Sequence, residues 1–238
     1  MKPTIVYIML LWAATYCLNS CNNSAITNID IAVIVDKTDR MTAYPNANEI
    51  ISQLGLQDNP WQGVRITATY ISDRDINDVS VVTLESENEW SGNKMIRKAK
   101  IEHFTKELQQ CLTGMKYNGT CPYSIVYRTI ARQANRLAAS TANRKLLLVY
   151  SDLYENDTAL NFYDPRVINR LQTNPRSITA QLEATVPLKP LSGLQLWLLY
   201  NPASFSQNNR YMTVATFYQQ LFSVHGAITH ISNKFQPL

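Results

Sequence analysis

The stretch Ile29–Arg40 reads I-D-I-A-V-I-V-D-K-T-D-R. Its centre, Ile31–Val35, is an unbroken apolar run, mostly β-branched, that stops at Asp36. A run this short and this branched predicts a fully buried strand, typical of a parallel sheet covered on both faces. In open α/β sheets ligands bind outside the carboxyl ends of such strands, so Asp36 falls where a site is expected.

Two further runs have the same character. Lys145–Ser151 (K-L-L-L-V-Y-S) also ends on an acid, Asp152, and Leu194–Tyr200 (L-Q-L-W-L-L-Y) is followed by Asn201-Pro202. Val64–Ile71 alternates and reads as a strand with one more exposed face. Val79–Leu84 reads as an edge or antiparallel partner, and Ala227–Ser232 as the last strand. Helical spacing is predicted at 46–54, 94–115, 122–140 and 208–223. Pro122 suits a first helical position. The stretch 153–175 reads as a loop carrying Asp164-Pro165 and Asn174-Pro175, with short helical pieces at 166–172 and 176–184. The alternation predicts a three-layer α/β/α sandwich on a mostly parallel, doubly wound, Rossmann-like sheet. With 238 residues, 45% of them hydrophobic, residues 29–238 form one domain.

Composition narrows the function. A net charge of +4 and a pI near 8.8, spread along the chain, give no case for nucleic acid. Seven single glycines leave no G-x-G-x-x-G or P-loop phosphate cradle. His103, His225 and His230 stand in no H-E-x-x-H motif, no G-x-S-x-G exists, and each histidine reads as surface or structural. Trp61, Trp90, Trp197 and Tyr200 read as core or loop packing, not as a ligand box. The helix from Lys94 opens on Lys94, Arg97, Lys98 and Lys100, against the helix dipole. That run is either a solvated face or a patch for an anionic partner or lipid headgroups.

The amino terminus is a separate object. Lys2 precedes an apolar stretch, Ile5–Ala14, that is too short to span a membrane and has the length of a signal h-region. It leads into Leu18-Asn19-Ser20-Cys21, which resembles the lipobox of bacterial lipoprotein signal peptides. The resemblance implies a signal at 1–20, a Cys21 carrying acyl chains such as palmitate, and a tether at 21–28. The alternatives are an ordinary secretory signal cut near Ser20 or an uncleaved anchor. No acidic residue follows Cys21 directly, which favours the outer membrane, facing the periplasm. In that compartment Cys111 and Cys121 are either disulfide-bonded or two free thiols. Asn22, Asn118 and Asn156 begin N-x-S/T triplets, which a bacterial lipoprotein leaves unglycosylated.

The order Asp36-x-Thr38-x-Arg40, a hydroxyl before the helix at 122–140, then Ser151-Asp152 resembles von Willebrand factor A-type domains. In that family an Asp-x-Ser/Thr-x-Ser motif, a central Thr or Ser and a later Asp hold one divalent ion, usually Mg²⁺, completed by a carboxylate of the partner. Oxygen ligands of this kind suit a hard cation. Carried over, Asp36 matches the first acid, Thr38 the first hydroxyl, Ser124 (or Thr120) the central hydroxyl and Asp152 the last acid. Arg40 stands where the second hydroxyl is usual, and Leu153 where glycine is usual. Arg40, beside Asp39, would repel a cation and could pair with Asp36 or Asp152. Three readings stand: a working ion site, a metal-free site closed by Arg40, or strand-end acids acting only as caps. The expectation is a non-enzymatic envelope lipoprotein whose domain binds a protein near Asp36 and Asp152. The alternative is a metal-dependent hydrolase using the same two acids.

Overall fold

The computed structural model describes residues 28–39, 44–116 and 121–236. Cys21, Arg40 and Thr120 lie outside the described residues. Six strands form one mixed sheet: β1 (Asn28–Asp36), β2 (Gly63–Ile71), β3 (Ser80–Leu84), β4 (Arg144–Tyr150), β5 (Leu194–Leu199) and β6 (Ile228–Ser232). Their spatial order is β3-β2-β1-β4-β5-β6. Every pairing is parallel except β2 with β3, which makes β3 an antiparallel edge as its sequence suggested.

Burial explains the apolar runs. Ile31–Val35 are all 0% exposed because successive side chains enter two different cores. Ala32 and Ile34 pack with Leu147, Val149, Leu196 and Leu198, under apolar residues of α3 (Val126–Ala138), α4 (Pro165–Thr173), α5 (Pro175–Glu183) and α6 (Phe205–Val224). Ile31, Val33 and Val35 pack with Leu146 and Leu148 on the other face, against α1 (Ala47–Ser52) and α2 (Lys94–Thr113). A strand with no polar face has no solvent side to show. Among the described residues no helix is long and apolar enough to cross a membrane.

Most helices start on a side-chain cap: Asn46, Asn93, Asp164, Asn174 and Ser204 each accept from backbone N–H groups of the first turn. Asp164-Pro165 and Asn174-Pro175, read from sequence as loop punctuation, are cap-and-first-residue pairs of α4 and α5. The α3 helix begins at Val126, four residues later than Pro122 suggests. The reason is tertiary: Ser124 pairs in both directions with Asn156, and the Ile125 N–H donates to the Ser72 carbonyl. Those bonds hold the backbone extended.

One of the two cysteine readings is selected, and one aromatic reading is corrected. Cys111 and Cys121 are free thiols, and Cys111 spends its side chain packing partly against the core under α2. Trp61, Trp197 and Tyr200 are buried, but Trp90 is 95% exposed. The basic run of α2 is also not one surface. Arg97 is 1% exposed and donates from Nε to the Pro60 carbonyl (2.6 Å), from Nη1 to the Glu85 carbonyl (2.7 Å) and from Nη2 to the Gln62 carbonyl (2.8 Å).

Candidate functional site

The winding of the sheet reverses between β1 and β4, the neighbours at its centre. Their carboxyl ends carry Asp36 and Ser151-Asp152 side by side at this switch point, where α/β sheets open a crevice.

Asp36 is fully buried and takes three hydrogen bonds. Its Oδ1 accepts from the Thr38 backbone N–H (2.8 Å) and the Thr38 hydroxyl (2.6 Å), and its Oδ2 accepts from the Ser151 hydroxyl (2.6 Å). The Thr38 hydroxyl also lies 3.0 Å from that of Ser124. A threonine has one hydroxyl proton, so with Thr38 donating to Asp36 the Ser124 hydroxyl is the donor in the second bond. Three segments far apart in sequence are thus joined through oxygen atoms. Ser151 accepts in turn from the Leu153 N–H (2.8 Å).

Asp152 is held more loosely. Its Oδ1 accepts from the Tyr154 N–H (2.9 Å), and the Tyr163 hydroxyl sits 3.5 Å from Oδ2. Burial, then the neighbouring charge of Asp36, pushes its carboxyl up to about 8. Burial also raises Asp36, against the pull of its Ser151 and Thr38 hydrogen bonds. Asp39 adds like charge to both. Lys37, the cation adjoining Asp36 in sequence, sits over the Tyr70 ring at 4.3 Å. Tyrosines line the same end: Tyr154 against Tyr163 and Tyr200 against Tyr211, each with ring centroids 5.0 Å apart. The Tyr211 hydroxyl is buried without a hydrogen-bond partner among the described residues and feels the charge of Asp152.

The residues predicted from sequence fall in one place where they are described. Asp36, Thr38, Ser124 and Asp152 come together, with Asp39 at the rim. Ser124 is the hydroxyl that meets Thr38; its alternative, Thr120, and Arg40 lie outside the described residues. Ser151 is the main omission. Its signal was its place before Asp152, but its bond to a residue 115 positions away had none. Glu155 was also missed. It is 1% exposed, and its Oε2 accepts from the Tyr127 N–H (2.7 Å), capping α3, whose own N-cap residue Ile125 makes no side-chain cap bond. Burial pushes Glu155 up to about 8 as well.

The backbone after Asp152 is strained. Leu153 has φ +65°, in the left-handed region, while its side chain is fully buried. Leu153→Gly should relieve about 1–2 kcal/mol of backbone strain and lose about 2–5 kcal/mol of buried packing. The expected net loss in urea unfolding is on the order of 2 kcal/mol. A glycine variant more stable than wild type would show that the backbone, not the side chain, dominates here.

No protein-family model matches the chain, and no curated protein matches it. Among solved structures it is similar to a mutant of the PilB minor pilin from Streptococcus sanguinis, with TM-score 0.45 and 10% sequence identity. The likeness covers 87% of this chain and 57% of that one, so the chain spans little more than half the length of that pilin structure.

Proposed function

We propose that this chain is a non-enzymatic, lipid-anchored envelope protein whose domain binds a protein partner at the carboxyl ends of β1 and β4. In this reading Cys21 carries the lipid, the compartment is the periplasmic side of the outer membrane, and the domain is a doubly wound three-layer sandwich of von Willebrand A type. The observation that carries the reading is the oxygen cluster of Asp36, Thr38, Ser124, Ser151 and Asp152, assembled at the switch point from three segments.

The residues fit a hard divalent ion such as Mg²⁺. The donor set is all oxygen, and two carboxyls raised by burial and by nearby like charge mark a place that favours positive charge. Asp36, Thr38, Ser124 and Asp152 would hold the ion. When bound it would neutralise both acids and offer a coordination position to a partner carboxylate. The chain's own part is orientation. Ser151 fixes the rotamer of Asp36, Thr38 links Asp36 to Ser124, and Asn156 anchors the Ser124 backbone.

A thermal-shift titration with Mg²⁺ and Mn²⁺ tests the ion. At a hundredfold excess over Kd, stabilisation should reach about 2.7 kcal/mol, raising Tm by roughly 5–10 °C, and Asp36→Ala should abolish it. Affinity should rise with pH up to about 8, because an ion must displace the proton of Asp152. Capture of envelope proteins tests the partner: equal capture by wild type and Asp36→Ala/Asp152→Ala would move the docking surface elsewhere. The raised Asp152 carboxyl also favours a second reading, a metal-dependent hydrolase with Asp36 and Asp152 in acid–base roles. Turnover of phosphoester or peptide substrates that is lost on chelation would select it.

A further inference from the structure

The end of the sheet opposite the acid cluster carries a surface that the binding reading leaves unused. Trp90 is 95% exposed, Met95 84% and Ile96 55%. The fold places them beside the point where the described chain begins. Asn28 is in register with Gly63, and a Cβ on Gly63 would lie 2.5 Å from Asn28 Oδ1 and 3.3 Å from Ser86. The Glu87 N–H donates to the Trp61 carbonyl (2.9 Å). Gly92 is pressed onto Trp61 so closely that a Cβ would come within 2.3 Å of the indole. The loop bearing Trp90 therefore leans on Trp61, two residues before the start of β2 and next to the start of β1.

This surface is rigid. Asn93 accepts from the Met95 and Ile96 N–H groups, fixing the first turn of α2. Arg97, the next residue, bolts that turn to the carbonyls of Pro60, Gln62 and Glu85. A fourfold-bonded buried arginine thus holds a turn from which Met95 and Ile96 project into water. Large apolar groups held in water mark an interaction surface, and an exposed tryptophan suits the headgroup region of a bilayer.

We propose that Trp90, Met95 and Ile96 seat the domain on the phospholipid surface to which it is tethered. The proposal rests on the reading of Cys21 as lipidated. From Cys21 to Asn28 the chain can reach at most ~25 Å, so an anchored Cys21 keeps this end of the sheet near the bilayer. Asp36 lies at the far end of β1, a further ~26 Å along the strand, and the seated domain points its acid cluster away from the membrane. Its partner is then a soluble protein or one reaching in from across the compartment. Exposed Glu85 and Glu89 offset exposed Lys94 and Lys98, and Lys100 is paired with Glu87. Contact is therefore by apolar insertion rather than by attraction to anionic lipid.

The test uses the full lipidated chain in phosphatidylcholine vesicles with brominated acyl chains. Trp12 leaves with the signal in this reading, and Trp61 and Trp197 are buried, so lipid quenching reports on Trp90. The expected result is quenching and a blue shift that persist in 0.5 M salt. Trp90→Phe should abolish the quenching and Met95→Ser/Ile96→Ser weaken it; the latter pair is exposed and leaves folding intact. Flotation with the vesicles, compared with the same chain begun at Asn22 without signal or lipid, reads the anchor separately. Protein that floats while Trp90 stays unquenched and open to aqueous iodide overturns the seat and spares the anchor. Shielding of Trp90 that depends on protein concentration instead of lipid also overturns it, in favour of a second copy. Wild type that does not float removes the anchor and the seat together.

Discussion

Arg97→Met is expected to lower stability by about 3–5 kcal/mol, the cost of breaking a buried, fully bonded charged group. Methionine nearly conserves length and apolar volume, so the loss isolates the polar contacts. Three carbonyls, those of Pro60, Gln62 and Glu85, lose charge-assisted donors between 2.6 and 2.8 Å away. The carboxylate of Glu87 loses one of its two cations and keeps Lys100. Buried acceptors left without a donor cost more than the bond itself contributed. Domains of this size are stable by only about 5–15 kcal/mol, so a single change would take a large share and lower Tm by roughly 10 °C. Arg97→Lys should recover only part, because one ammonium cannot reach three divergent carbonyls as a planar fork does. Thermal and urea unfolding measure both variants. A loss under about 1 kcal/mol for methionine would mean that water replaces the guanidinium.

Asp152→Asn should separate stability from binding. The folded carboxyl of Asp152 is raised to about 8, while an unfolded aspartate titrates near the model value of 3.8. For an acid raised by folding, the stability it allows is fully present below the unfolded value and is lost as pH rises through the folded one. Wild type should therefore weaken between about pH 4 and pH 8, by at most ~1.4 kcal/mol per pH unit for this group and by less where water reaches the half-buried side chain. Asparagine resembles the protonated acid and has no proton to lose. The variant should match wild type near pH 4 and exceed it increasingly up to pH 8, while losing divalent-ion stabilisation and partner capture. Glu155, raised by burial in the same way, slopes both proteins equally and drops out of the difference. Parallel curves of wild type and variant across this range would show that Asp152 keeps its ordinary affinity for protons.

Local chemistry made much of the fold readable. β1, β4 and β5 announced themselves because a strand buried on both faces must be apolar at every position. β3 read as an edge or antiparallel partner, but that an apolar residue such as Val81 would be its exposed one was not legible. Helix starts were less legible. The Asp-Pro and Asn-Pro pairs before α4 and α5 carry the same local signal whether they end a loop or begin a helix. The start of α3 was set by backbone bonds to Asn156 and Ser72, which no local pattern contains. The basic opening of α2 misled for a related reason. Lys94, Lys98 and Lys100 face water, but Arg97 meets three carbonyls that only the packed strand ends bring together.

The opening strand shows where the division falls. The order of residues already implied that Ile31–Val35 would be buried, that an acid would stand at the carboxyl end of β1 and another beyond β4, and that hydroxyl-bearing residues would lie around them. These follow from side-chain chemistry over a few consecutive positions. It took the packed fold to bring Thr38 to Ser124 across 86 positions and Asp36 to Ser151 across 115. It alone turned Leu153 into the left-handed region and left Asp152 half-buried with few donors. The reason is physical. Burial, repulsion between neighbouring acids and the donors that reach them depend on distances through space, and those are set only when the parallel strands close the sheet.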